Sequence, residues 1–159
     1  MTQALLELHA TRVPDAWLDY NGHMNDGAYA IAFSHATDRL MEHIGVDGDY
    51  RAQTGLTIYT LENHIRYLRE AGGGDAVNIT TQLLEHDAKR LRVHHVLWRE
   101  GESEPLATSE QMLLHVDGNV PAAAPFPQQV ADRIEALARQ QAGLPRPEGA
   151  GAGIRSLER

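Results

Sequence analysis

Cysteine is absent from the 159-residue chain, and lysine occurs once, at Lys89. The lack of cysteine excludes disulfides, thiolate nucleophiles and cysteine-based zinc sites, and it is typical of a reducing compartment. Long hydrophobic runs are also missing, and residues 1–9 lack the basic and apolar segments of a signal peptide. We therefore expect a cytoplasmic protein without a membrane partner.

Basic residues are scarce, because 14 Lys and Arg stand against 22 Asp and Glu, for a formal net charge of -8. Proteins that bind nucleic acids normally carry a basic face, so no nucleic-acid partner is expected. The chain also lacks the Gly-x-Ser-x-Gly turn of serine hydrolases. Its 42% hydrophobic and 23% charged residues predict one folded domain of ordinary size.

The hydrophobic periodicity predicts strands, one long helix and a second helix near the C-terminus. A strand is expected over residues 5–13, the long helix from Asn25 or Asp26 to Ile44, turns over 46–55, strands over 57–68, 76–85, 91–99 and 106–116 joined by three hairpins, and the terminal helix over 125–141. This order predicts an α+β fold in which an antiparallel sheet wraps one central helix. Residues 1–142 form the predicted domain, and the Gly/Pro-rich segment 143–159 is expected to be a disordered tail.

The segment Trp17–Asp26, with the sequence W-L-D-Y-N-G-H-M-N-D, is the richest in chemical groups. It precedes the long helix, whose N-terminus offers unpaired backbone N–H groups that can hold an oxyanion. Asp19 could act beside them as a base or a nucleophile, and Gly22 could allow close backbone approach. On composition alone, a plain loop in which Asn25 or Asp26 caps the helix is the simpler interpretation.

Residues 19–29, D-Y-N-G-H-M-N-D-G-A-Y, resemble the D-x-x-G-H-[VM]-N-[ND]-x-x-Y pattern of hotdog-fold acyl-CoA thioesterases of the 4-hydroxybenzoyl-CoA thioesterase type. The similarity continues through Y-L-R-E-A at 67–71 with G-D at 74–75, D-A-K-R-L at 87–91, and A-T-S-E-Q-M at 107–112 with H-V-D at 115–117. Within that superfamily the sequence is most similar to betainyl-CoA thioesterases of carnitine catabolism.

The resemblance implies a hotdog fold and a homodimer or higher homo-oligomer with active sites at the interface, an assembly that the open edge of a single sheet also favours. It implies that Asp19 is the catalytic acid, as general base or as nucleophile, and that no cofactor is needed. Backbone N–H groups of residues Gly22, His23, Met24 and Asn25 would form the oxyanion hole. Some relatives carry another acid two positions before the catalytic one, where this chain has Trp17.

Substrate-binding residues are predicted on the same basis. Trp17 and Tyr20 offer ring faces to a quaternary ammonium, Glu62 or Asn63 would lie across the dimer from Asp19, and Lys89 and Arg90 would meet the nucleotide phosphates of CoA. A β-bulge would decide which of Glu62 and Asn63 points inward. Packing residues and solvated charges are the simpler explanation of the same positions.

Nine histidines raise the possibility of a metal site, and His35, Asp38 and Glu42 share one helical face. A solvated polar face explains that pattern more simply, so no metal is expected. The predicted function is hydrolysis of a short acyl-CoA, with betainyl-CoA as the expected substrate. Two alternatives stay open: a non-catalytic acyl-CoA-binding module, and a hydratase or dehydratase that uses His23.

Overall fold

The computed structural model describes residues 5–158, with three helices, six strands and a short 3-10 turn at Asp15–Trp17. In chain order the elements are β1 (Leu6–Arg12), α1 (Asp26–His43), α2 (Gly48–Thr54), β2 (Leu56–Tyr67), β3 (Ala76–His86), β4 (Arg90–Arg99), β5 (Pro105–Asp117), β6 (Ala122–Ala123) and α3 (Gln128–Gln141). The predicted succession of strand, long helix, four strands and terminal helix is therefore confirmed.

The strands form one antiparallel sheet in the order β1-β3-β4-β5-β2, with the two-residue β6 added to β5. The prediction of three consecutive hairpins is wrong at the first connection. β2 pairs with β5 and not with β3, so the chain crosses between opposite sides of the sheet after β2. Alternation along a strand reports which face is buried, but it carries no information about the neighbouring strand.

α1 lies in the concavity of the sheet and begins at a cap formed by its own sequence. The Asn25 side chain accepts a hydrogen bond from the Gly27 amide at 2.9 Å, which satisfies one of the open donors of the first turn. The apolar stripe of α1 is buried, and the Phe33 ring stacks on His95 of β4. α1 is thus the predicted central helix.

α2 occupies the stretch that was expected to contain only turns. Asp47 caps it by accepting from the Tyr50 amide at 2.9 Å, and Gly55 ends it in the left-handed conformation. The helix spans seven residues and buries none of them. An apolar stripe therefore could not have revealed it, and its glycines read as turn residues.

α3 covers one end of the core, and the C-terminal segment continues over the outer face of the sheet. Val130, Ile134 and Leu137 pack against the apolar cluster at the end of α1. Beyond α3, the Pro145 carbonyl accepts from Gln82, and the Gly151 amide donates to Glu110.

The division of the chain at residue 142 and the disorder of the tail stay predictions, and residues 1–4 of the expected domain lie outside the described residues. Within residues 5–158, no helix combines the length and the apolar character needed to cross a membrane.

Candidate active site

The loop that carries Asp19 is fixed between the start of α1 and the β2–β3 connection. Two isolated β-bridges, Leu18 with Met24 and His23 with Gly72, close the loop on itself and on that connection. The Met24 amide donates to the Ala71 carbonyl at 2.7 Å, and the Asn25 amide donates to the Trp17 carbonyl at 2.7 Å. These contacts fix residues 17–25, here called the motif loop, at the N-terminus of α1.

One carboxylate oxygen of Asp19 holds this turn together. Asp19 Oδ1 accepts from the backbone amides of Asn21 at 2.8 Å and His23 at 3.1 Å. Asp19 Oδ2 has no hydrogen-bond partner among the residues that the structure describes, and Asp19 lines an open cavity. The carboxylate thus combines an anchored oxygen with one that can react.

Gly22 is needed for its backbone conformation. Its φ is +76°, in the left-handed region that L-residues with a side chain rarely adopt. A Cβ atom at this position would meet no heavy atom within 4 Å. The turn therefore needs glycine here for its φ angle, and the expectation that Gly22 allows a close backbone approach stays a prediction.

The four amides assigned to the oxyanion hole already have acceptors inside the protein. Gly22 N–H donates to the Asp19 carbonyl at 3.0 Å, and the amides of His23, Met24 and Asn25 make the bonds given above. Among the donors at the mouth of the cavity that these bonds do not use are the side-chain NH2 of Asn25, whose oxygen caps α1, and the first amide of the helix, at Asp26. The oxyanion donors stay a prediction.

The cavity beside Asp19 has a volume of about 440 Å³. Its walls come from the motif loop, the first turn of α1 and the end of β2: Asp19, Tyr20, Asn21, His23, Met24, Asn25, Asp26, Tyr29, Tyr67, Leu68, Arg69 and Glu70. The rings of Tyr29 and Tyr67 meet edge to face with centroids 5.1 Å apart. The Tyr67 hydroxyl donates to the Asp26 carbonyl at 3.1 Å, so its ring is held at the mouth.

The charges around the cavity are predominantly negative. Asp19, Asp26 and Glu70 line it, and Glu70 lies 3.2 Å from His23 Nε2. Arg69 also lines it, but its guanidinium contacts Glu102 at 3.3 Å and Glu104 at 3.2 Å. The positive charge of Arg69 is therefore shared with two carboxylates outside the cavity.

Asp75 and Arg99 hold the β2–β3 connection in place. Asp75 Oδ2 accepts from the Gly72 amide at 2.8 Å and from Arg99 Nε at 3.0 Å, and Arg99 also donates to the Glu70 carbonyl at 2.8 Å. The bond from the Gly72 amide, helped by the Arg99 guanidinium, lowers the pKa of Asp75 below its ordinary value. Because Gly72 bridges to His23, this ion pair also supports the motif loop.

The fold and this loop agree with comparisons to known proteins. The family model of the thioesterase-like superfamily matches residues 13–134. The chain belongs to this superfamily. The resemblance in sequence and the hotdog fold expected from it are both confirmed.

Two curated relatives and one solved structure illustrate the relationship. A betainyl-CoA thioesterase of Pseudomonas aeruginosa is 48% identical over 95% of this chain and 94% of its own length. An L-carnitine dehydrogenase/betainyl-CoA thioesterase of Agrobacterium fabrum is 43% identical over 96% of this chain, which matches 31% of that longer protein. SAV2348 of Staphylococcus aureus, solved in complex with CoA, has 29% identity and a TM-score of 0.89 over 98% of each chain.

Within this thioesterase fold, Trp17 lies away from the cavity. Its ring contacts His35 of α1 with centroids 6.3 Å apart, and it packs against the apolar core. Tyr20 lines the cavity and is 96% exposed. Of the two aromatic residues predicted to meet a cation, only Tyr20 is placed to do so in one chain, whereas sequence reasoning did not assign Tyr29 and Tyr67 to the site. Their only signal was their place in the family pattern.

The predicted residues of β2 lie elsewhere on the same chain. A bulge between Thr60 and Glu62 shifts the register against β5, so that Asn63 shares the α1 side with Ile65 and Tyr67. Glu62 then points to the outer face, like His64 and Arg66. Of Glu62 and Asn63, between which the sequence could not decide, Asn63 is the one that faces inward.

Lys89 and Arg90 lie at the opposite end of the sheet. The motif loop contacts Gly72, just before the start of β3, whereas Lys89 and Arg90 come just after the end of β3. The 11 residues of β3 separate the two places. Arg90 Nε donates to Asp87 at 2.7 Å, and this bond is the main cause that lowers the pKa of Asp87 to about 2. The structure of one chain therefore does not bring this hairpin to Asp19.

Proposed function

We propose that this thioesterase hydrolyses betainyl-CoA to the free acid and CoA. The observation that carries the proposal is the cavity at Asp19, which combines three tyrosines with three carboxylates. A trimethylammonium group has no N–H to donate, so a selective site must use aromatic ring faces and negative charge. Each ring face contributes roughly 0.5–2 kcal/mol to the binding of such a cation. The identity to betainyl-CoA thioesterases supports the same substrate.

Asp19 is the proposed general base or nucleophile of the reaction. As a general base, its carboxylate takes a proton from water while that water attacks the thioester carbonyl. As a nucleophile, it attacks the carbonyl directly and forms a mixed anhydride, which water then opens. In both routes the C–S bond breaks and CoA leaves as the thiol. The side-chain NH2 of Asn25 and the first amide of α1 are the proposed donors to the oxyanion.

The active assembly is proposed to be a homodimer formed through β2. This strand has 12 residues, occupies one edge of the sheet and leaves Tyr59, Leu61 and Tyr67 exposed. A long apolar edge strand is a template for pairing with a second chain. Antiparallel pairing of two β2 strands extends the sheet and brings the partner's strand beside Tyr67, at the mouth of the cavity. Lys89 and Arg90 are proposed to meet the CoA phosphates from the partner chain.

The substitution Asp19→Asn tests the catalytic role. Its amide oxygen can still accept the two backbone amides, so the loop should fold, but the reactive carboxylate oxygen is lost. We expect thiol release from betainyl-CoA to fall by about 10²–10⁴-fold. Asp15→Asn changes an acidic residue outside the cavity and should retain wild-type rates. Thiol release by Asp19→Asn at the wild-type rate would remove Asp19 from the mechanism.

A panel of acyl-CoAs separates the candidate reactions in the wild-type protein. Thiol release indicates hydrolysis. An absorbance change at an enoyl thioester without thiol release indicates hydration, and the His23–Glu70 pair would then be the acid–base couple. Binding without either signal indicates a non-catalytic module. A reaction in ¹⁸O water tests the nucleophilic role of Asp19, because ¹⁸O in its carboxylate can come only from the anhydride route.

A further inference from the structure

A row of polar side chains crosses the otherwise apolar core between α1 and the sheet. It consists of Thr81, His95, Thr37, Gln111, Ser109 and Asn63, here called the polar chain. The first five residues are buried, and Asn63 is the exposed end on edge strand β2. Buried polar groups are costly unless every donor and acceptor is paired, so five of them under the central helix require an explanation.

The inner half of the polar chain has a defined direction. Burial lowers the pKa of His95 to about 3, so its imidazole is neutral and carries one proton. The Thr37 hydroxyl donates to Gln111 Oε1 at 2.7 Å, a shorter contact than its 3.1 Å to the Phe33 carbonyl. Thr37 therefore accepts from His95 Nε2 at 3.0 Å, and the Thr81 hydroxyl donates to His95 Nδ1 at 2.7 Å.

The outer half continues in the same direction and orients Asn63. Because Gln111 uses its oxygen for Thr37, its NH2 group donates to Ser109 Oγ at 3.2 Å. The Ser109 hydroxyl then donates to Asn63 Oδ1 at 2.6 Å. The reverse orientation of the Asn63 amide would leave the buried Ser109 proton without an acceptor. The NH2 group of Asn63 is therefore directed to the open edge, and it has no acceptor among residues 5–158.

We propose that the polar chain positions the Asn63 NH2 group to donate to a carbonyl oxygen of the acyl-pantetheine arm bound at the partner's active site. This proposal rests on the proposed function and on pairing through β2. Asn63 and Tyr67 lie on one face of β2, about 13 Å apart along the strand, so pairing through β2 presents Asn63 on the same face of the joined sheet as the partner's cavity. The thioester and amide carbonyls of that arm can accept a hydrogen bond, whereas the trimethylammonium group cannot. A fixed N–H donor therefore binds the arm and not the cationic end of the substrate. Thr37, Gln111 and Ser109 are positioning residues in this arrangement.

The test compares Asn63→Ala, Asn63→Asp and Ser109→Ala with His64→Ala, which lies next to Asn63 on the opposite face of β2. For the best substrate of the panel, we expect Asn63→Ala to raise KM about fivefold, the effect of one lost neutral hydrogen bond. Asn63→Asp should raise KM further, because an acceptor-only carboxylate then faces the carbonyl. Ser109→Ala should reproduce part of the increase, since it frees the amide to rotate. We expect kcat to stay within about twofold, and His64→Ala to leave both constants unchanged.

Light scattering on each variant gives the second readout. If wild-type protein releases thiol but both Asn63 variants retain its KM, the role of Asn63 is refuted and the proposed function stands. If KM rises only because the variants dissociate, Asn63 is an interface contact and the proposal is overturned. If no acyl-CoA of the panel yields thiol, both proposals fail. If Ser109→Ala does not fold, the two Asn63 variants alone test the proposal, because both changes are at the exposed edge. A higher KM for Asn63→Asp than for Asn63→Ala supports it, and the reverse order overturns it.

Discussion

At the scale of single residues, the side chain of Asp19 holds the motif loop together and is the proposed base or nucleophile. Asp19 Oδ1 fastens the amides of Asn21 and His23, and the φ of Gly22 allows that turn. The result is a carboxylate held in one orientation at the N-terminus of α1. A preorganised base or nucleophile does not spend reaction energy on ordering itself, which is the physical advantage of the arrangement.

Tyr67 is the residue at which selectivity for the cation can be measured. Its ring is 52% exposed at the mouth of the cavity, and its hydroxyl donates to the Asp26 carbonyl. We expect Tyr67→Leu to lower the preference for betainyl-CoA over 3,3-dimethylbutanoyl-CoA, its neutral isostere, by about 2–30-fold, the loss of one ring face. Tyr67→Phe retains the ring and should retain the preference. Equal kcat/KM for the two substrates in wild type would reject a cation site.

His95 predicts how stability depends on pH. Its pKa falls from an unfolded value of about 6.5 to about 3 in the folded protein, mainly through burial. Below pH 6.5 the unfolded chain binds a proton that the folded protein refuses, so stability is lost as pH falls from 6.5 towards 3. This contribution amounts to about 2 kcal/mol between pH 8 and pH 5. Urea unfolding of His95→Gln should show a correspondingly shallower decline, and parallel declines would contradict the assignment.

At the scale of elements, the last turn of α3 is hydrogen-bonded to the backbone of β3 through one side chain, Gln141. Gln141 Oε1 accepts from the Leu83 amide at 2.8 Å, and its Nε2 donates to the Thr81 carbonyl at 3.0 Å. These backbone groups lie where β1 no longer pairs with β3, since that register ends at Thr81. The side-chain amide of Gln141 therefore makes the two hydrogen bonds that a longer β1 would make with β3 at this point. The last turn of α3 is thereby held against the sheet edge.

Gln141→Ala tests this attachment. The change leaves a buried N–H and a buried C=O without partners, and we expect the free energy of unfolding to fall by about 1–3 kcal/mol. Gln140 is adjacent and exposed, so Gln140→Ala is the matched control and should stay within about 0.5 kcal/mol of wild type. Denaturant unfolding measures both. Equal stability of the two variants would show that solvent replaces the Gln141 bonds.

At the scale of the whole molecule, the unpaired β2 edge connects assembly with activity. One chain holds Asp19 and the tyrosines at one end of the sheet, and Asn63 and the Lys89 hairpin elsewhere. In the proposed dimer, antiparallel pairing through β2 reverses the partner, and its Asn63 and Lys89 hairpin contribute to the site that holds Asp19. The proposal therefore makes dimerisation a requirement of activity.

Leu61→Lys tests that requirement. Leu61 is the bulged residue of β2 and is 53% exposed, so a charge there should disfavour edge pairing. We expect light scattering to show a monomer at micromolar concentration, with most thiol release lost. Val120→Lys places the same charge at an exposed apolar residue outside β2 and should change neither property. A monomeric Leu61→Lys variant with full activity would overturn the shared site.

Local sequence by itself determined the helices with an apolar stripe, the strands with alternating faces and the place of Asp19 at the start of the long helix. These features depend on residues within one or two turns of each other, as in the Asn25 cap and the D-x-x-G-H-M-N motif. Tertiary structure decided the rest. Contacts between residues distant in sequence decided the pairing of β2 with β5, the packing of Trp17 against His35 and the hydrogen bonds that occupy the amides of residues 22–25. One extra residue in β2, the bulge, decided that Asn63 faces inward. Such contacts form only when the chain has folded, because periodicity specifies a face but not the neighbour that covers it.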